Sequence, residues 1–120
     1  MSQAPYTIFD FQLDHRDQEI LKAQEWIQEH FAEDFSIDTI AEIINMSPRT
    51  FQRRFKKATG DSPLVYLQRF RVEMSKRMLE KSNRSIEEIS FQIGYENSSS
   101  FRKVFKKYSG LSPAEYRKKF

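Results

Sequence analysis

The 120-residue sequence has no cysteine, two histidines (His15 and His30), three glycines and four prolines. Without cysteine there is no disulfide framework and no thiolate zinc site. The scarcity of glycine and proline leaves little room for long irregular stretches. No apolar run approaches the roughly 18 residues of a membrane span, and the N-terminus lacks the apolar segment of a signal peptide. No membrane partner is therefore expected, and the expected location is the cytoplasm. A Gly-rich phosphate loop, a nucleophile with a base at pairing distance and a ligand cluster are all missing. Neither enzymatic activity nor a cofactor is expected. The length fits one domain, or two very small ones sharing a core.

What the chain does have is charge, unevenly placed. Residues 1–45 carry ten acidic residues against Arg16 and Lys22, a net of −8; residues 46–120 carry 18 basic against seven acidic residues, a net of +11. The C-terminal two-thirds should attract a polyanion, and the N-terminal third should stay away from one.

Apolar spacing is helical almost throughout. Residues 1–16 have no period, hold Pro5 and read as a linker or arm. From Asp17, a candidate N-cap, Ile20, Ala23, Ile27 and Phe31 form one stripe flanked by Trp26, which predicts an amphipathic helix over 17–31. The remainder is one pattern written twice. Shifted by 49, Ser36-Ile37-Asp38-Thr39-Ile40 falls on Ser85-Ile86-Glu87-Glu88-Ile89. Shifted by 50, Phe51, Phe55, Gly60, Ser62-Pro63, Tyr66 and Phe70 fall on Phe101, Phe105, Gly110, Ser112-Pro113, Tyr116 and Phe120. The extra residue lies in the turn at 94–97. Such self-similarity marks a duplicated supersecondary unit.

Each copy opens with a Ser-capped short helix (37–44, 86–93), with Ile37, Ile40 and Ile44 or Ile86, Ile89 and Ile93 inward. After a turn, a second helix starts at Ser47-Pro48, or at Asn97 or Ser98, and runs to Gly60 or Gly110. Ala41 and Ser90 are small where the pair packs closest. This is a helix-turn-helix, present twice. The expected fold is all-α with about seven helices: an arm over 1–16, one helix-turn-helix subdomain over 17–62, a linker helix over 63–81 with Leu67, Phe70, Met74 and Met78 inward, and a second subdomain over 82–120.

With Phe51 and Phe55 turned inward, 100° per residue places Arg49, Arg53 and Lys56 on the opposite face, with Gln52 and Lys57 flanking it and Arg54 nearer the core. With Phe101 and Phe105 inward, Ser99, Lys103 and Lys106 face outward, with Arg102 and Lys107 on the flanks. No acid occurs between Met46 and Gly60 or between Asn97 and Gly110. Cations mixed with neutral donors suit a major-groove helix: Arg can bridge guanine O6 and N7, and Gln can bridge adenine N6 and N7. Lysines and hydroxyls reach phosphates, the expected role of Thr50, Lys56 and Lys57 and of Ser98, Ser100, Lys106 and Lys107. Other features read as structural. His15 is expected as a surface residue of a flexible segment and His30 as a half-buried helix-end residue, while Tyr95, Tyr108 and Tyr116 should cover the core.

The run Ile86-Glu87-Glu88-Ile89-Ser90-Phe91-Gln92-Ile93-Gly94-Tyr95, followed by Phe101-Arg102-Lys103-Val104-Phe105-Lys106-Lys107 and Gly110-Leu111-Ser112-Pro113-Ala114-Glu115-Tyr116-Arg117, resembles the AraC/XylS signature. Ser47-Pro48-Arg49-Thr50-Phe51-Gln52-Arg53-Arg54-Phe55 with Gly60 and Ser62-Pro63 is similar to that family's first motif. The resemblance covers about residues 17–120, with Ser75 and Ser90 where the family usually has Ala. It implies the C-terminal DNA-binding domain of a bacterial transcription regulator, associated with the nucleoid when bound. Two recognition helices, about 48–59 and 98–109, would enter successive major-groove segments of double-stranded DNA, about 34 Å apart. Carried over by position, Arg49, Gln52 and Arg53, then Ser99, Arg102 and Lys103, would touch bases. It also implies contact with RNA polymerase, and an effector or dimerisation domain that is expected to lie outside these 120 residues. The Arg49–Phe55 wording, Trp26 and the acidic lead-in resemble the GlxA-type subgroup with an amidotransferase-like N-terminal domain. The competing readings are non-specific or architectural nucleic-acid binding, and a helical protein-interaction adaptor using the acidic face of the first helix.

Overall fold

The computed structural model describes residues 13–120, so most of the expected arm lies outside the described residues. Those residues form seven α-helices and no strand: α1 Gln18–His30, α2 Ile37–Ile43, α3 Pro48–Thr59, α4 Pro63–Lys81, α5 Ile86–Gln92, α6 Ser98–Ser109 and α7 Pro113–Lys119. The expected all-α class and helix number stand. Three helices fall short of their apolar period. α2 and α5 each give up their last residue, Ile44 and Ile93, as a C-cap. α1 gives up Asp17 as its N-cap and also Phe31, expected on its inward stripe, which lies in the turn after it and packs with the second unit.

All seven helices start by the same device. A side-chain oxygen of Asp17, Ser36, Ser47, Ser62, Ser85, Asn97 or Ser112 accepts the N–H of the third residue on, satisfying a donor that the helix itself cannot. At α5 and α7 the third residue is Glu88 or Glu115, whose carboxylate accepts the cap's own N–H and completes a capping box. α3 and α6 both end at a left-handed glycine, Gly60 and Gly110. The helix-to-helix turns match as well. The Met46 and Tyr95 N–H groups donate five residues back to Ala41 and Ser90 carbonyls, past a residue of positive φ, Asn45 in one copy and Gly94 in the other.

The chain forms two compact units. The first runs up to His30 and resumes over Phe35–Leu67; the second takes Phe31–Asp34 and Gln68–Phe120. Their cores are built alike. Phe51 meets Phe55 edge-on at 5.5 Å, and Phe55 meets Tyr66 at 5.3 Å. In the second unit Phe101 meets Phe105 at 5.6 Å, and Phe105 meets Tyr116 at 5.6 Å. Edge-to-face geometry suits the aromatic quadrupole and adds to the apolar burial. The four phenylalanines are fully buried, as are Ile20, Ile27, Ile40, Ile89 and Ile93. Ser75 and Ser90, at positions where Ala is usual in the resembling family, are fully buried and donate back to the Val72 and Glu87 carbonyls.

Two packing expectations are corrected. On α4, Met74 and Met78 are only half-buried, whereas Tyr66, Leu67, Phe70, Val72, Ser75 and Leu79 are buried. α4 serves the first unit up to Leu67 and the second unit beyond it, so no single stripe runs along it. His15 is half-buried rather than free at the surface. Its Nδ1 accepts the Asp17 N–H at 3.1 Å, which leaves the proton on Nε2 to donate to Oε1 of buried Gln24 at 2.7 Å. One turn on, Gln28 Nε2 donates to the buried Tyr66 hydroxyl at 3.0 Å, and burial raises the Tyr66 pKa. His30 is half-buried as expected, stacked on Trp26 at 4.1 Å and bonded to the Trp26 carbonyl.

Candidate nucleic-acid interface

α3 presents the face expected of it. Phe51 and Phe55 anchor it to the core, and Arg49, Gln52, Arg53, Lys56 and Lys57 are exposed. Thr50 is half-buried, its N–H taken by the Ser47 cap at 3.2 Å. On α6, Ser99, Ser100, Arg102, Lys103, Lys106 and Lys107 are exposed around the buried Phe101 and Phe105. Ser98 is half-buried, and its hydroxyl accepts from Arg102 Nη1 at 2.8 Å. Lys107 Nζ sits 5.3 Å from the Tyr108 ring centroid. Each helix therefore gathers its own named residues on one outward side.

Two acids from neighbouring segments reach these helices, although no acid lies along either helix itself. Asp17, the cap of α1, accepts Arg54 Nη2 at 2.6 Å and Nε at 3.0 Å. This fork ties α3 to the start of α1, and the Arg54 guanidinium holds the Asp17 carboxyl below the ordinary carboxylate range. Glu87, in the first turn of α5, accepts Arg102 Nη2 at 3.1 Å. Its own backbone N–H, then the Arg102 guanidinium, hold its carboxyl below the usual range. Neither acid shares a helix with its cation, and pairs 37 and 15 residues apart leave no local periodic trace.

Among the described residues no group of three His, Cys, Asp or Glu side chains could hold a metal ion, and no helix is long and apolar enough to cross a membrane. Two short helices joined by a tight turn, the second with a cationic outward face, and this twice over, define a helix-turn-helix module. Residues 40–119 match the family model described as a helix-turn-helix domain. The HTH-type transcriptional activator RhaS of Enterobacter sp. (strain 638) is 31% identical over 105 residues, a match covering 88% of this chain and 38% of that protein. The chain thus spans little more than a third of that relative. A crystal structure of the DNA-binding domain of AdpA, a global transcriptional factor, in complex with a target DNA is 37% identical, with a TM-score of 0.81 over 84% of this chain and 91% of that one. The C-terminal domain of AraT, a response regulator from Geobacillus stearothermophilus, is 32% identical, with a TM-score of 0.82 over 85% of each chain. The chain belongs to the AraC/XylS family, as a C-terminal-type helix-turn-helix DNA-binding domain.

Proposed function

We propose that the chain reads double-stranded DNA sequence for a bacterial transcription regulator, with α3 and α6 each entering a major-groove segment. The carrying observation is the duplicated outward face, exposed on both helices and free of acid along each of them. In this reading Arg49, Gln52 and Arg53 on α3, and Ser99, Arg102 and Lys103 on α6, meet base edges. Thr50, Lys56, Lys57, Ser98, Ser100, Lys106 and Lys107 meet phosphates and set the register. The functional division is an arm over 1–16, a reading head over 17–62, a linker helix over 63–81 and a second head over 82–120. Half-sites would lie about one helical turn, about 34 Å, apart. The protein partner proposed is RNA polymerase, the place of action the cytoplasm on the nucleoid, and the effector or dimerisation function that of another domain. No catalytic role is proposed.

Selection of bound duplexes from a random pool should return one site with two half-sites. Arg53→Ala should then relax preference within one half-site by about 1–3 kcal/mol, read as the affinity ratio between the selected and base-swapped duplexes. Lys106→Ala should weaken selected and scrambled duplexes alike and lower the slope of log K against log salt by about one. Equal wild-type affinity for selected and scrambled duplexes would favour architectural binding instead. Unchanged promoter response in an Arg53→Ala, Lys103→Ala double variant would favour the adaptor reading.

A further inference from the structure

Among the described residues, Arg102 is the outward cation of α3 or α6 that an acid holds. Nη2 donates to Glu87 at 3.1 Å and Nη1 to the Ser98 hydroxyl at 2.8 Å. The guanidinium is gripped on two of its nitrogens, leaving the Nε–H and one N–H on each terminal nitrogen to donate elsewhere. The repeat makes this arrangement particular to the second unit. Glu87 matches Asp38, but Arg102 matches Gln52, which carries no charge to pair. With the two side chains 57% and 44% exposed, the pair contributes little to folding. Beside a polyanion, an acid at the edge of the reading face also weakens attraction to phosphate.

Building on the DNA-reading function proposed above, we propose that Glu87 is a positioning residue that sets specificity: it fixes the Arg102 guanidinium for a bidentate contact with guanine and keeps it off the phosphates. A guanidinium already restrained loses less rotamer freedom on meeting O6 and N7. Guanine brings no net charge to the encounter, whereas a phosphate approaching Arg102 also meets the Glu87 carboxylate. The two heads then differ in kind. The first carries a neutral amide suited to adenine at the position where the second carries a braced guanidinium suited to guanine.

The test uses the full chain and a duplex that it selects from a random pool. The base pair at which Arg102→Ala erases preference is identified, and affinity is measured for that duplex, for one swapped at that base pair, and for a scrambled one. Glu87→Gln should lower the ratio of selected to swapped affinity by about two- to fivefold, the range for an exposed ion pair, while binding the scrambled duplex more tightly. Asp38→Asn removes the same charge at the matching place in the first unit. It should tighten scrambled binding while leaving the ratio at the Arg102 base pair untouched. In an Arg102→Ala background Glu87→Gln should have no effect on that ratio. An unchanged or increased ratio in Glu87→Gln, with preference at the first half-site intact, overturns the positioning role alone. A wild-type chain that does not separate selected from scrambled DNA overturns the DNA-reading function and this inference together.

Discussion

Phe105→Ala should lower the melting temperature by on the order of 15 °C, because truncating a buried phenylalanine costs about 3–5 kcal/mol. Phe105 has no exposed surface, lies edge-on to Phe101 and Tyr116, and belongs to a cluster with Val72, Leu79, Ile89 and Ile93. The ring also sets the angle of α6, since Phe101 and Phe105 are the two anchors that turn Lys103 and Lys106 outward. A thermal melt followed by circular dichroism measures the first effect. A footprint on the selected duplex measures the second, and protection should contract to the half-site read by α3. Phe55→Ala, its counterpart in the first unit, should produce the opposite contraction. A melting temperature within a few degrees of wild type would show that the ring does not fill the core as described.

Gly94→Ala should destabilise by about 2–4 kcal/mol, a left-handed backbone penalty plus an overpacking penalty. Gly94 has φ +102°, and a Cβ there would lie 2.7 Å from Arg71 Nη2, 2.9 Å from Cζ and 3.2 Å from the Ala32 Cα. Arg71 has little freedom to withdraw. Its Nε donates to the Phe31 carbonyl at 2.7 Å, and its guanidinium sits 5.1 Å from the Tyr95 ring centroid. Gly110→Ala is the matched comparison: φ is +82° and nothing lies within 4 Å of the added carbon. Only the backbone penalty of about 1–2 kcal/mol applies there. Chemical denaturation of the two variants separates the contributions. In an Arg71→Ala background the gap between them should narrow, because the guanidinium is no longer in the way.

The legible part of this fold was local. Caps announce themselves within four residues, which is why Ser36, Ser47 and Ser85 are legible from sequence alone. The 49- and 50-residue shifts exposed the doubled unit because each copy repeats the same Phe, Gly and Ser-Pro spacing. The outward faces of α3 and α6 follow from helical geometry with Phe51 and Phe101 turned to the core. What is not legible there joins distant segments through polar groups. Gln24 and Gln28 look like solvent-facing residues beside the Ile20–Ile27 stripe, yet both are buried, one against His15 and the other against Tyr66. A hydrophobic pattern has no symbol for a polar side chain whose partner arrives 38 residues later. Glu87 is silent in the sequence for the same reason. Within α5 it is an ordinary first-turn acid, and only the fold brings it to Arg102.

The way the chain is threaded through its two units bears on any attempt to divide the molecule. Phe31–Asp34, directly after α1, belongs with the second unit and supplies the carbonyl that Arg71 grips, while the chain on either side of it builds the first. A scissor cut anywhere between Asp34 and Gln68 would therefore not liberate two self-sufficient halves. The C-terminal piece would leave behind the Phe31 ring that lies 5.2 Å from Phe70, along with the carbonyl acceptor for Arg71. A fragment meant to keep the second core whole has to begin before Phe31, although much of the sequence it then carries builds the first.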